Sequence, residues 1–525
     1  TIYQTNQGNG RFNFSPALTD SRQTGVTSGD SMASFLLGFP TLIAHDYTQN
    51  WPGERGSEVG LYFADDWRAT KRLTLNLGLR WDYFSPFSEV SNRWANFNVN
   101  TGKIDIAGRN GVDKYVGIEP YYMNFGPRFG FAYQLLEHTV LRGGFGLFYN
   151  PTGSEGNSMR LFRQLPFGST LSISPGDIFP GQTVSAGFPP LQPVDYSLAD
   201  SPNGAMFAVN HGFRPSYAQQ FNLTLEHEIA PANLLIRAAA VGNLGRHLYN
   251  TWNANQAIPG PTPLNTRRPL YSLDPAISDV SYFTTSGLSE YYAFQLTVNK
   301  RFSNGVSAIL GYTWSHSIDD VPLEFGGGSS GPQPQDPRNI AAERGNSITD
   351  MRHRLTLSYL WELPFGNGKR FLDRHGVADW VLGGWQMNGI LTVQTGLPFS
   401  PVLQTSTTNT GTGSRPNVIG PVTYARTLQN WFSTSAFGTP APYTYGNAGR
   451  DILFGPGRWN WDMSLFKDFV VHEQTRFQLR AEAFNIFNHP QFGQPNASIG
   501  NPQAGTITST VGNPRQLQMG LRFQF

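Results

Sequence analysis

The stretch Gln516-Leu-Gln-Met-Gly-Leu-Arg-Phe-Gln-Phe525 decides the fold. Leu517, Met519, Leu521, Phe523 and Phe525 take every second position, against Gln516, Gln518, Gly520, Arg522 and Gln524. A period of two sets all five apolar side chains on one face of an extended strand. The run also has about the length that a tilted strand needs to cross a bilayer.

Working outward from it, the same pattern recurs along the chain. Leu73, Leu75, Leu77, Leu79, Trp81 and Tyr83 alternate with Thr74, Asn76, Gly78, Arg80 and Asp82. Similar runs cover Phe129–Leu135, Tyr292–Val298, Val306–Trp314 and Leu355–Trp361. With weaker runs, one of them near Phe35 to Tyr47, the pattern predicts about 14 strands. Strands of a soluble sandwich average about half this length. The links between runs alternate as well. Short ones, at Ala69–Arg72, Ala230–Asn233, Ser303–Gly305 and Val471–Gln474, follow long ones such as Ser85–Phe125, Asn150–Ser216, His247–Glu290, Ile318–Thr349, Leu397–Arg458 and His489–Pro514. Short periplasmic turns and long external loops are the habit of outer-membrane barrels, whereas long structureless loops are uncommon in compact soluble domains. Phe365 to Asp379 is the exception, a long link where a short turn is due.

Composition points the same way. The 525 residues include 57 glycines and 37 prolines, with 14% aromatic and 14% charged residues. Soluble chains carry about 25% charge, yet only 39% of this chain is hydrophobic. Strands with one apolar face and one polar, uncharged face reconcile the two. A net charge of +2 makes no electrostatic case for nucleic acid, and the absence of cysteine excludes disulfides and thiolate chemistry. No apolar run reaches the roughly 18 residues of a membrane helix, so a membrane location must come from strands. The N-terminal residues show no basic segment followed by an apolar core, so no signal peptide is visible in them. The expectation is therefore an all-β, antiparallel transmembrane β-barrel whose N-terminal part is missing.

With the last strand ending on the periplasmic side, Trp81, Trp314 and Trp459 fall near the external interface. Trp67, Trp361 and Trp385 fall near the periplasmic one, which makes two aromatic girdles. Asp65 and Lys467 interrupt the apolar face. A cation facing lipid at mid-bilayer costs roughly 2–4 kcal/mol, less near the interfaces; a bulge that shifts the register is an equal alternative.

Several segments carry a family resemblance. Gly60-Leu-Tyr-Phe-Ala-Asp-Asp-Trp-Arg68 with Leu73–Tyr83 resembles the first hairpin of TonB-dependent outer-membrane receptors, and more narrowly their Oar-like branch. Gly29–Gly38, Asp350–Tyr359, Gly383–Gly389 and Arg480–Asn488 support the likeness, which extends over nearly the whole chain. The terminal Leu521-Arg-Phe-Gln-Phe525 matches the barrel-insertion signal, with Leu521, Phe523 and Phe525 as its apolar positions. The resemblance implies a barrel of roughly 22 strands around a plug, of which this chain supplies the C-terminal part. It implies an importer of a bulky nutrient (oligosaccharide, peptide or chelate), driven by the TonB complex and installed by the barrel-assembly machinery. Its partners are outer-membrane lipid and an unidentified nutrient. A plug, a TonB-contacting box and an upstream carboxypeptidase-regulatory-like domain are not recognisable. A surface receptor or adhesion barrel without import is the alternative.

No catalytic constellation, cofactor motif or metal spacing survives its context. Gly327-Gly-Ser-Ser-Gly331 formally matches a nucleophile elbow but sits in a loop. Gly29-Asp-Ser-Met32 resembles an esterase block, with no helical pattern after it. Asp319, Asp320 and Glu324 suit calcium, although a solvated loop is commoner. Arg142, Glu226, Arg354, Asp462, Arg480, Glu482 and Arg522 are expected to face the lumen, keeping it wet or contacting a substrate. Tyr121, Tyr122, Trp252, Tyr443 and Tyr445 are the loop candidates for stacking on a ligand.

Overall fold

The alternating runs form thirteen strands that each pair with the next along the chain. They are β1 (Glu58–Trp67), β2 (Leu73–Phe84), β3 (Tyr121–Leu136), β4 (Thr139–Asn150), β5 (Ser216–Ile229), β6 (Leu234–Asn253) and β7 (Ile277–Ser303). β8 (Val306–Asp319), β9 (His353–Glu362), β10 (Trp385–Gln394), β11 (Arg458–His472), β12 (Thr475–Phe484) and β13 (Gln516–Gln524) complete the sheet. The computed structural model describes residues 9–21, 28–48, 53–150, 161–173, 183–190, 192–321, 333–373, 376–472 and 475–525. All twelve pairings between neighbours in this sheet are antiparallel. Among the described residues β1 and β13 do not meet, so the sheet they form is an open barrel wall with two free edges.

Turn chemistry closes the short side. Between β7 and β8, Asn304 and Gly305 both have positive φ (53° and 77°), the backbone of the tight hairpin turn that matches strand twist. Between β1 and β2, Thr70 Oγ1 accepts from the amides of Arg72 (3.1 Å) and Leu73 (3.0 Å).

Register carries one apolar face across the sheet. Leu75 stands opposite Phe131, Phe145 opposite Phe221, Leu296 opposite Tyr312, Leu391 opposite Trp461 and Leu479 opposite Leu521. This face is uncovered by protein: Phe63 is 69% and Leu521 72% exposed. In water such a band would be untenable; in a bilayer it is the lipid-facing surface.

The buried cores lie instead in the external connections. One cluster joins Ala95, Phe97, Phe167, Met206 and Val280, and a second joins Trp94, Val116, Leu161, Val209 and Phe283. A third gathers Leu403, Phe432, Phe437, Leu453 and Ile499. β6 (20 residues) and β7 (27 residues) are far longer than a bilayer crossing requires. Their outward ends replace much of the expected His247–Glu290 loop, and Gly204–Val209 adds a parallel strand beside β7.

Three expectations are corrected. The run near Phe35 to Tyr47 is no wall strand: α1 (Ser31–Leu36) is followed by the strand Leu42–Thr48, which belongs to a separate small sheet with Arg11–Asn13 and Gly168–Ile173. A helix does follow Gly29-Asp-Ser, because Asp30 Oδ1 caps it by accepting from Met32 N (2.6 Å) and Ala33 N (3.3 Å). No bulge rescues Asp65 or Lys467: their pairing with Leu77 and Trp385 is regular, and both remain on the apolar face. Inside the long link before β10 lies a second short helix, α2 (Val377–Leu382).

Candidate functional site

The face opposite the lipid band is where the barrel would hold water or solute. Strand alternation and register place Arg142, Glu226, Arg354, Asp462, Arg480, Glu482 and Arg522 all on it. They do not form one cluster. Arg142 lies 3.7 Å from Glu226, and Glu226 also takes a hydrogen bond from Arg237 Nε (2.5 Å). Arg237 escapes a reading of single strands because only the β5–β6 register sets it opposite Glu226. Arg80 pairs with Asp82, two residues on along the same strand (2.7 Å). Arg354 stands opposite Gln394, and Arg522 opposite Gln478. Exposed pairs of this kind contribute about 0–1 kcal/mol each, so their value is in holding the wall wet.

Asp462 and Glu482 do come together. They line a concavity of about 540 Å³ with Asn299, Lys300, Arg301 and Asn388. Asp462 and Phe484 also line a second space of about 430 Å³, with Arg458, Asn460, Gln491 and Gln516. The two spaces share Asp462 and Phe484 and so adjoin each other along the inner wall. Asp462 is preorganised: its Oδ1 accepts from Asn460 Nδ2 and from the amide of Asn485, both at 2.8 Å. Arg480 Nε donates to Gln478 Oε1 (2.6 Å), which turns it along the wall. Asn388 also lines the first space, and its Nδ2 is buried without a hydrogen-bond partner. The lining mixes amides such as Asn299, Asn460, Asn485 and Gln491 with Lys300, Arg301, Arg458, Asp462 and Glu482, so it offers a polar solute both hydrogen bonds and charges of either sign.

The tryptophans Trp67, Trp81, Trp314, Trp361, Trp385 and Trp459 all lie on the lipid face by register. Trp81 Nε1 donates to the Tyr122 carbonyl (2.7 Å) and Trp385 Nε1 to that of Val381 (3.0 Å). Phe523 stacks between Phe477 (4.6 Å) and Phe525 (5.4 Å), while Leu521 faces Leu479.

The loop aromatics do not converge. Tyr122 stacks on Tyr83 (4.9 Å), the Arg214 guanidinium lies over Tyr121 (5.2 Å), and Trp252 packs against Tyr282 (5.7 Å). Tyr445 Oη accepts from Gln256 Nε2 and Arg338 Nη2, both at 3.1 Å, and burial pushes its phenol above the ordinary value. Tyr122 and Tyr443 are the exposed members. Asp319 pairs with Arg450, and Asp320 Oδ1 accepts from Leu288 N (2.7 Å); Glu324 and Gly327–Gly331 lie outside the described residues.

An ionic lattice in the external lobe carries no sequence signature. Arg415 binds Glu343 through two parallel bonds (2.7 and 2.9 Å), and both side chains are buried. Arg450 Nε donates to the Glu343 carbonyl (2.8 Å) while its other nitrogens reach Asp319 and Asp451. The lattice ties the 333–352 and 395–457 segments to the outer end of β8.

Comparison with known proteins adds the following. The family described as "Outer membrane beta barrel domain" matches residues 1–518. No curated protein matches the chain. Among solved structures, the outer-membrane transporter YddB from Escherichia coli is similar at 12% identity, covering 90% of this chain and 45% of that one, with a TM-score of 0.45. The ferric-catecholate import receptor Fiu from Escherichia coli K12 is similar at 13%, covering 90% and 45%, with a TM-score of 0.42. The siderophore receptor PiuA from Acinetobacter baumannii is similar at 10%, covering 93% and 44%, with a TM-score of 0.43. The chain spans less than half the length of these structures.

Proposed function

Because the chain belongs to the outer membrane beta-barrel domain family and resides in the cell outer membrane, we propose that it is the barrel portion of a TonB-dependent receptor that binds a bulky polar nutrient and imports it through its lumen. The observation that supports this reading is the pair of adjoining polar spaces on the inner wall, lined by Asp462 and Glu482 together with lysine, arginine and amide side chains. An oligosaccharide, a peptide or a chelate fits such a lining. Plug, TonB contact and insertion by the barrel-assembly machinery belong to this proposal, and the residues Leu521, Phe523 and Phe525 are its insertion signal. The expected absence of enzymatic activity follows from the same reading.

The test is uptake of labelled oligosaccharide, peptide and chelate pools by cells deleted for the full-length gene. One pool should be lost, wild type should restore it, and the double variant Asp462→Ala, Glu482→Ala should restore it only in part. Normal uptake of every pool with lost surface attachment would overturn import. It would favour an adhesion barrel, the reading to which the folded external lobes also lend themselves.

A further inference from the structure

The link between β9 and β10 is long where the other described turns on its side are short. Its helix α2 shows its apolar side chains to the outside: Val377 is 80%, Trp380 62%, Val381 49% and Leu382 47% exposed. Phe365, Phe371 and Leu372 beside it are exposed as well. In water this would be an unpaired apolar patch. We propose that α2 is an interfacial anchor, lying in the phospholipid headgroup layer of the periplasm-facing leaflet.

Two contacts fix the side of the wall on which α2 sits. Trp380 packs on Phe469 at 4.9 Å, and Phe469 stands opposite Phe477, which faces Phe523 on the lipid band. The Lys467 ammonium, also on the lipid face, donates to the carbonyl of Gly383 at the C-terminal end of α2. It lies 4.7 Å from the Phe469 ring. α2 is thus continuous with the surface that already meets lipid, at the level of Trp385. It also supplies what makes a lipid-facing lysine tolerable: a carbonyl, aromatic faces and burial. Asn367 N donates to Asp379 Oδ1 (2.7 Å), which latches the start of the link onto α2. Indole rings and a short apolar helix at the headgroup level are what interfaces favour. Arg370, whose guanidinium lies 5.4 Å from the Phe371 ring, puts positive charge beside the patch, suited to anionic phospholipid, while Lys369 is paired with Glu362 (2.6 Å).

The chain has no cysteine, so single nitroxide labels can be placed cleanly. Val381→Cys on α2, Leu465→Cys in the lipid band and Ile419→Cys in an external loop are each reconstituted as the full chain in phosphatidylethanolamine–phosphatidylglycerol vesicles. The ratio of oxygen to nickel-chelate collisions should be several-fold higher at 381 than at 419, and closer to that at 465. A water-like ratio at 381 with a lipid-like ratio at 465 would overturn the anchor while leaving the barrel intact. A water-like ratio at 465 would instead sink the membrane wall on which the inference rests.

Discussion

Single residues in the external lobe carry more energy than those in the inner wall, because they are buried. Removing one partner of a buried ion pair leaves a charge without compensation, at a cost of about 3–5 kcal/mol. Glu343→Gln should therefore loosen the 395–457 segment, seen as faster cleavage by an external protease on intact vesicles; unchanged cleavage would show that Arg415 does not depend on it. Asp451 is a different case. Burial raises its carboxyl above the ordinary 3.8, despite the hydrogen bond from Ser400 and the nearby Arg450. Its Oδ2 has no hydrogen-bond partner, and its φ is +54°. The native lobe thus holds this proton more tightly than the unfolded chain does. Stability should fall as pH rises from 3.8 through the raised native value. Asp451→Asn keeps the Ser400 contact geometry and suits the left-handed backbone. It should stabilise the lobe at neutral pH and flatten that slope, both read from denaturation at several pH values. A steeper slope in the variant would refute the assignment.

At the scale of elements, three glycines on the lipid face stand opposite aromatic residues: Gly143 with Phe131, Gly242 with Phe221 and Gly389 with Tyr359. In each pair the ring lies over the glycine, where a Cβ would collide with it. Such coverage compensates the glycine's missing side chain. Gly242→Val should cost about 1–3 kcal/mol through overpacking, visible as a lower temperature for loss of heat-modifiable mobility on gels; an unchanged temperature would show that Phe221 simply swings away. Strand periodicity made the thirteen wall strands legible, since alternation is local. It could not reveal which glycine a ring covers or that Arg237 meets Glu226, because both depend on register between strands. The Phe35–Tyr47 run misled for a related reason: an apolar stretch that turns from a capped helix into a short strand has the composition of a wall strand without its period. Asp30, with the cap that starts α1, was the readable signal.

At the scale of the whole molecule, the usual order of burial is inverted. The apolar wall is bare, and the packed cores sit in connections that look like loops in the sequence because their apolar residues follow no regular period. Trp94, Val209 and Phe283 come together from remote stretches, a convergence that spacing along the chain does not encode. The lobes should therefore keep protease resistance of their own: trypsin on oriented vesicles should leave the 85–120 segment intact under conditions that unfold no wall strand, and rapid cleavage there would contradict its core.

The two free edges have a consequence of parity. Each crossing of the membrane reverses the chain, so the first and thirteenth strands descend in the same direction. Edges that run alike cannot join each other antiparallel, and copies of this sheet arranged in a ring would meet only at parallel seams. An unbroken antiparallel circuit requires an odd number of further crossings between β13 and β1, whichever polypeptide provides them.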